Sequence, residues 1–377
     1  MLKLHTKCLA LLGAGVLAAS SALAQSDKAL LDTLIRKGVL TKDEATQIQA
    51  EASAASKSAS KSTTIVSGKL YVDVSDITAE TASGAKVNPS GDGLDVKRFY
   101  FGVTHIFNDI WSVNINTDSG YSSSTGATNL FIKTAFVQAK ISPEFIVQAG
   151  SANMPWIPFD EDNYGFRYVE NTLIDRLHFG NSADWGVHVL GTAGMVSYNV
   201  AAVNGGGYKN PSRSKSMDFE GRVSIEPVKG LNFALGAYQG KLAKDAYGAP
   251  SKRTATRYDA LAAYTTPKFR VGAEYFWESD WGFTGSAQSD KGNGYSLFGN
   301  MTLSGPYSVF ARYDNDKTSK KLHPDMQEDY FNIGLQWHAF AGVDLSLVYK
   351  NDHISNPASA SQVTKYDEFG VFSQIAF

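Results

Sequence analysis

Downstream of residue 65 the chain is built from short segments in which apolar and charged residues alternate one by one. In Phe269–Trp277, one face carries Phe269, Val271, Ala273, Tyr275 and Trp277, and the other carries Arg270, Gly272 and Glu274. In 343–350, Val343, Leu345, Leu347 and Tyr349 oppose Asp344, Ser346 and Lys350. A period of two places successive side chains on opposite faces of a strand. One face is therefore greasy and the other ionisable. Charge facing lipid costs ~2–4 kcal/mol at the bilayer midplane, so the charged face must meet water. A water-soluble barrel would invert the pattern and fill its inside with apolar side chains. After Ala24 no apolar run approaches the ~20 residues of a membrane helix, which leaves a closed barrel as the only way to satisfy every backbone group in lipid. The pattern predicts a cylinder with a wet interior.

Sixteen such segments fall between residues 66 and 377, the first near 66–76, the second near 95–106. Each is close to the ~9–11 residues a tilted strand needs to cross the hydrocarbon. Tight turns such as Ser142-Pro143-Glu144, Pro267-Lys268 and Gly305-Pro306 alternate with polar loops such as 77–94, 243–254 and 353–364. Short turns at one end and long loops at the other suit a sixteen-stranded antiparallel transmembrane β-barrel spanning 65–377. An even strand number puts both chain ends on the short-turn side. Tyr, Phe and Trp make up 12% of residues and fall near segment ends, where membrane interfaces favour them.

The two ends of the chain fit this reading. Lys3, His5 and Lys7 precede an apolar stretch, residues 8–18, and Ser21-Ala22-Leu23-Ala24 offers small residues for cleavage after Ala24. Residues 1–24 are expected to be a signal peptide rather than an anchor helix. Cys8, the single cysteine, leaves with it, so no disulfide and no cysteine-bound metal is expected. At the other end, Phe369, Val371, Ile375 and Phe377 share a face, and a terminal strand ending in an aromatic residue suits recognition by the barrel-assembly machinery through Phe377. Residues 25–64 differ from both. Leu30, Leu31, Leu34 and Ile35 have helical spacing, Gly38 stops that helix, and Thr41 with Glu44 forms a capping-box pattern for a second. Residues 52–64 are Ala, Ser, Lys and Thr. A short periplasmic helical hairpin or coiled-coil segment and a linker are predicted, either as a spacer or as an envelope tether.

Residues 152–183, ANMPWIPFDEDNYGFRYVENTLIDRLHFGNSA, form the longest connection. Trp156, Ile157, Phe159, Phe166 and Leu173 would be wasted on a solvated loop, so the loop is expected to fold into the lumen. Asp160, Glu161 and Asp162 would then form a carboxylate cluster at a constriction, with Arg167 and Arg176 further along. Lys69, Arg98, Lys133, Arg222, Arg257, Arg270 and Arg312 fall on the polar face of the wall, as do acids such as Asp118, Glu220 and Asp314. Loop acids facing wall bases would set up a transverse field that disfavours apolar solutes and passes small ions.

The helical LLDTLIRKGVLTKDEA, Lys97-Arg98, IKTAFVQAK, VQAG and RYVENTLIDRLHFGNSADWG together resemble the phosphate-selective porin O and P family of proteobacterial outer-membrane proteins. The resemblance implies a sixteen-stranded barrel among outer-membrane lipids, a homotrimer, and a third loop inside the pore. It implies an outer-membrane porin for passive diffusion of small hydrophilic solutes and ions. Phosphate-selective members hold oxyanions with a strongly basic lumen. Here the wall is mixed and the loop acidic, so phosphate is not carried over, and a channel specific for a sugar or organic acid stays open.

Other classes fit less well. The net charge of −2, which becomes −4 without Lys3 and Lys7, lacks the basic excess of a nucleic-acid binder, so no nucleic acid is expected. His105, His178, His188, His323, His338 and His353 are scattered, with no G-x-S-x-G motif and no metal-ligand spacing, so no enzyme, cofactor or metal is expected.

Overall fold

The structure, a computed structural model, describes residues 33–48, 50, 62–122 and 126–377. The expected signal peptide and cleavage site lie outside the described residues, as do residues 25–32 and most of the linker. The chain divides between Thr63 and Thr64 into two units. In the first, residues 33–36 and 42–48 are helical. The Thr41 amide donates to Glu44 Oε2 at 2.8 Å and the Glu44 amide to Thr41 Oγ1 at 3.2 Å, the reciprocal pair of a capping box.

The second unit is a closed barrel of sixteen antiparallel strands, each paired with its neighbours in sequence. They are β1 (Thr63–Thr81), β2 (Gly91–Ile106), β3 (Trp111–Ser122), β4 (Ala127–Ser142), β5 (Phe145–Asn153), β6 (Ala183–Ala193), β7 (Val196–Val203) and β8 (Asp218–Val228). Then follow β9 (Leu231–Gly240), β10 (Ala255–Thr265), β11 (Phe269–Ser279), β12 (Lys291–Ser304), β13 (Tyr307–Lys317), β14 (Gln327–Phe340), β15 (Val343–Ser355) and β16 (Val363–Ala376). Closure runs through β1 and β16, from Lys69 opposite Ala376 to Thr81 opposite Val363. β1 and β2 reach beyond the spans expected from sequence, β1 as far as Thr81 and β2 back to Gly91. Past the apolar band a hairpin still gains by pairing its backbone groups, and Glu80 bridges Lys86 beyond the strand ends.

The outer and inner faces are inverted relative to a water-soluble protein. Leu235, Val271, Leu297 and Leu335 are 63%, 53%, 51% and 47% exposed, while Arg257, Glu274, Arg312 and Lys350 on the alternate positions are buried. Only lipid makes such an exterior stable, because about 25 cal/mol per Å² of apolar surface would otherwise be left in water. Aromatic pairs mark the long-loop end of the band: Tyr258 with Trp277, Tyr295 with Tyr313, Phe331 with Tyr349. Tyr264 with Phe269, and exposed Trp111, Tyr307, Trp337 and Phe340, mark the short-turn end. These are the interfacial girdles of a membrane barrel. Among the described residues no helix is long and apolar enough to cross a membrane.

Candidate functional site: the lumen and its inward loop

Residues 154–182, between β5 and β6, lie inside the barrel. Helix α1 (Ile157–Tyr164) opens with Pro158 in its first turn, where a missing N–H costs nothing, and closes on Gly165. Gly165 has φ +80°, and its amide donates to Glu161 O at 2.8 Å. A left-handed residue at this place ends the helix and favours glycine. A side chain here would also collide with the Arg270 guanidinium of the wall. One further turn, α2 (Leu173–Arg176), follows.

The loop is packed as a protein core is. Trp156, Ile157, Val169, Leu173 and Ile174 have no more than 1% of their surface exposed, each worth about 1.5–3 kcal/mol when fully buried. Trp156 lies against Gly236 of β9, where a Cβ would come within 2.5 Å of the indole. Its amide donates to Glu220 Oε1 at 2.9 Å and its Nε1 to Glu274 Oε1 at 3.0 Å. Tyr164 meets Phe298 edge-on at 5.5 Å, Phe166 stacks on Phe310 at 4.1 Å, and Phe179 lies 5.4 Å from Phe276. Phe276, Phe298 and Phe310 stand at lumenal positions of β11, β12 and β13, where alternation alone calls for polar residues. They are the seat of the loop.

Four wall cations donate to backbone carbonyls of the loop. Arg222 Nε reaches Pro155 O at 3.0 Å, Lys97 Nζ reaches Val169 O at 3.1 Å, Arg312 Nη1 reaches Asn171 O at 2.5 Å, and Arg257 Nη1 reaches Phe179 O at 2.5 Å. Arg312 is also paired with Asp314 at 2.6 Å, and Arg257 with Asp259 at 2.9 Å and Glu220 at 3.4 Å. Arg222 stacks on Phe159 at 4.1 Å. Arg222, Arg257 and Arg312, expected among the bases of the lumen wall, all donate to the loop. They hold the loop, because a buried carbonyl must find a donor and a buried guanidinium has several to give. Arg270 lies beside Gly165, under the end of α1.

The acidic cluster is also dispersed. Helical rotation of about 100° per residue sends consecutive side chains in different directions. Asp160 turns to the wall and is 1% exposed, with neither carboxylate oxygen hydrogen-bonded. Burial, opposed by Thr172 and Arg312, pushes its carboxyl up to about 7. Glu161 pairs with Arg167 at 2.6 Å, and Arg167 pairs in turn with Asp175 at 3.3 Å. Asp162 alone of the three is exposed. Arg176 borders the long-loop side of the lumen and is held there by an acidic nest on the wall: Asp314 at 3.3 Å, Asp316 at 3.3 Å, Asp352 at 3.1 Å, and Glu328. Its guanidinium also sits 4.6 Å over the Tyr330 ring. Glu170 binds Lys350 at 3.3 Å. Burial alone would raise the Glu170 carboxyl, but Lys350 and Lys97 hold it well below its ordinary value.

Among the described residues the lumen holds two polar cavities that share Arg167 in their lining. One, of about 500 Å³, lies between the loop and β1–β4 and is lined by Lys69, Lys133, Glu161 and Asp162. The other, of about 570 Å³, opens toward the long-loop end beside Arg98, Lys97, Glu170 and Lys350. Arg98 is paired with Asp118 at 3.3 Å. Among the described residues no group of three or more His, Cys, Asp or Glu side chains is arranged to hold a metal ion.

Of the twelve site residues expected from sequence, Lys69, Arg98, Lys133, Glu161, Asp162, Arg167 and Arg176 line these cavities. Arg222, Arg257 and Arg312 secure the loop, Arg176 ties it to the acidic nest, Asp160 is buried against the wall, and Arg270 abuts the helix. Lys97 and Glu170 were missed as site residues, and Lys350, expected on the polar face, lines the second cavity. The signal that would have revealed the docking surface was aromatic residues at lumenal parity in β11–β13.

Solved structures share this architecture. The anion-selective porin from Comamonas acidovorans superposes with a TM-score of 0.62 at 14% identity, covering 84% of this chain and 100% of that one. The outer-membrane channel DcaP of Acinetobacter baumannii gives 0.60 at 11% identity, covering 84% and 98%. Salmonella typhi OmpF, in complex with daunomycin, gives 0.57 at 9% identity, covering 84% and 98%. The chain has the porin fold. No protein-family model matches the sequence, and no curated protein matches it either. At these identities the likeness is one of barrel architecture, and the chemistry rests on the barrel's own residues.

Proposed function

We propose that the protein is a porin of the bacterial outer membrane, a water-filled channel for passive diffusion of small hydrophilic solutes and ions, narrowed by residues 154–182. The observation that carries this reading is a polar, ionisable lumen inside a lipid-compatible shell, with the loop fastened to one wall and a passage left beside β1–β4. Arg167 is shared by the two cavities, with Lys69, Lys133 and Asp162 toward the short-turn end and Arg98 toward the long-loop end. The transverse field then runs between Asp162 and Glu161 on the loop and Lys69 and Lys133 on the wall.

The same reading includes export by residues 1–24, a periplasmic helical segment before the barrel, assembly through the β16 strand ending in Phe377, and a homotrimer. The trimer draws support from Vibrio cholerae OmpT, a barrel of like fold (TM-score 0.54, 11% identity) described in trimer form. The sequence LLDTLIRKGVLTKDEA ahead of a sixteen-stranded barrel supports a place near the phosphate-selective porin O and P family. Its phosphate selectivity does not transfer, because acids and bases alternate along this passage. Reconstitution into planar bilayers tests the proposal: stepwise, ohmic conductance is expected, and bilayers that stay silent with correctly folded protein overturn it.

A further inference from the structure

We infer that the passage contains a binding subsite for a small, singly charged, ring-bearing organic carboxylate, centred on Lys133. This rests on the channel reading and names what that channel retains in transit.

The argument begins with strand register. On β3 and β4, Asn116 faces Thr134 and the next pair is Thr117 with Ile132, so Lys133 is an extra residue without a partner across the ladder. Such a β-bulge re-aims side chains, and bulges concentrate at functional places. Here Lys133 and the adjacent Thr134 both turn inward, at 8% and 5% exposure, and both line the 500 Å³ cavity. A regular strand would have sent one of them into lipid.

The bulge leaves Lys133 uncompensated. Its ammonium lies over the Tyr100 ring at 4.8 Å. Among the described residues it joins no ion pair within 4.0 Å and no hydrogen bond. The arginines beside it are matched, Arg98 by Asp118 and Arg167 by Glu161 and Asp175, and Lys69, the other lysine on this cavity, is exposed where Lys133 is buried. A buried ammonium without a counter-charge is costly unless an anion arrives to pair with it. Of the side chains lining the cavity, Arg167 is matched by Glu161, which leaves Lys69 and Lys133 facing Asp162 with a surplus of one positive charge. A monoanion fits that surplus, and a dianion would be repelled by the two carboxylates.

The shape selects the rest of the solute. Tyr71 and Tyr100 meet edge to face at 5.8 Å beside the ammonium, a surface suited to a planar ring. The Asn116 amide borders the same cavity and can share a carboxylate with Lys133. A buried, unpaired ammonium, an amide and a tyrosine corner describe a site for a carboxylate carried on a ring.

The test uses the full-length barrel in planar bilayers with potassium chloride at pH 8, where inorganic phosphate is largely a dianion. Benzoate, benzyl alcohol and inorganic phosphate are the probes. Benzoate should reduce the single-channel current saturably, benzyl alcohol should not, and phosphate should block only at higher concentration. Loss of the charge-assisted bond in Lys133→Gln should raise the half-blocking benzoate concentration at least about tenfold. Lys133→Arg should keep most of the block. Tyr100→Leu, which strips the ring beneath the ammonium, should raise that concentration by a smaller factor and serves if Lys133→Gln does not fold. An open wild-type channel with no saturable benzoate block overturns the subsite while leaving the porin reading intact. So does phosphate binding tighter than benzoate, or wild-type block in the variants. Absence of any conductance overturns the porin reading instead.

Discussion

Arg176→Met removes the guanidinium that Asp314, Asp316, Glu328 and Asp352 share. Arg176 is 10% exposed, the first two acids are fully buried, and Glu328 and Asp352 are 15% and 27% exposed. Asp314 retains Arg312 at 2.6 Å. Asp316 retains no cation within ion-pair distance among the described residues. Stripping one partner from a buried pair costs about 3–5 kcal/mol, because the stranded charge stays desolvated. The cost falls on the docked state of the loop, since an undocked loop lets water reach the nest. At 1.4 kcal/mol per power of ten, the undocked fraction should rise by roughly two to three and a half powers of ten. Ile174, fully buried in α2, is the reporter. In a Cys8→Ser background, Ile174→Cys should react slowly with a thiol reagent, at a rate set by local opening. Adding Arg176→Met should speed that reaction at least about a hundredfold, and adding Asp316→Asn as well should recover a large part of the protection. A change of less than about threefold on Arg176→Met, outside what the buried-pair cost allows, would refute the claim that the acidic nest anchors the loop.

Three further outcomes follow from the lumen. Asp162→Asn should shift the reversal potential in a salt gradient toward anions, whereas Asp160→Asn, facing the wall, should leave it unchanged; equal shifts would mean that both acids meet the permeating ions. Because burial raises the Asp160 carboxyl to about 7, the folded protein keeps a proton that the unfolded chain has released. Its contribution to loop docking is complete below about pH 4 and declines as pH rises toward 7, so thiol labelling of Ile174→Cys should quicken across that window, and Asp160→Asn should flatten the dependence. Trp156→Phe leaves Glu274 without its indole donor and should destabilise docking by about 1–3 kcal/mol, while Trp156→Ala should cost about 3–5 kcal/mol through the cavity it opens beside Gly236; urea midpoints of the folded barrel measure both, and equal midpoints for the two variants would count against the packing described.

Much of the barrel was legible because its rules are local. Alternation in Phe269–Trp277 assigns each side chain to lipid or lumen with no knowledge of its neighbours across the sheet, and Pro143-Glu144 or Gly305-Pro306 reverses the chain wherever it occurs. The same locality identified residues 152–183 as a loop too greasy for solvent. Locality fails once the loop is inside. Asp160, Glu161 and Asp162 are one cluster in sequence, but α1 fans them toward the wall, toward Arg167 and toward the passage.

The sequence by itself determined a sixteen-stranded cylinder, its wet lining, and the segment that enters it. The tertiary structure alone decided which charges meet water. Arg176 finds acids from β13, β14 and β15, more than a hundred residues away, and Arg257 finds the carbonyl of Phe179. Lys133 faces the lumen beside Thr134 because the ladder with β3 slips by one residue there. Periodicity fixes the face a side chain takes, whereas its partner depends on the register of strands distant in sequence and on where a folded loop comes to rest.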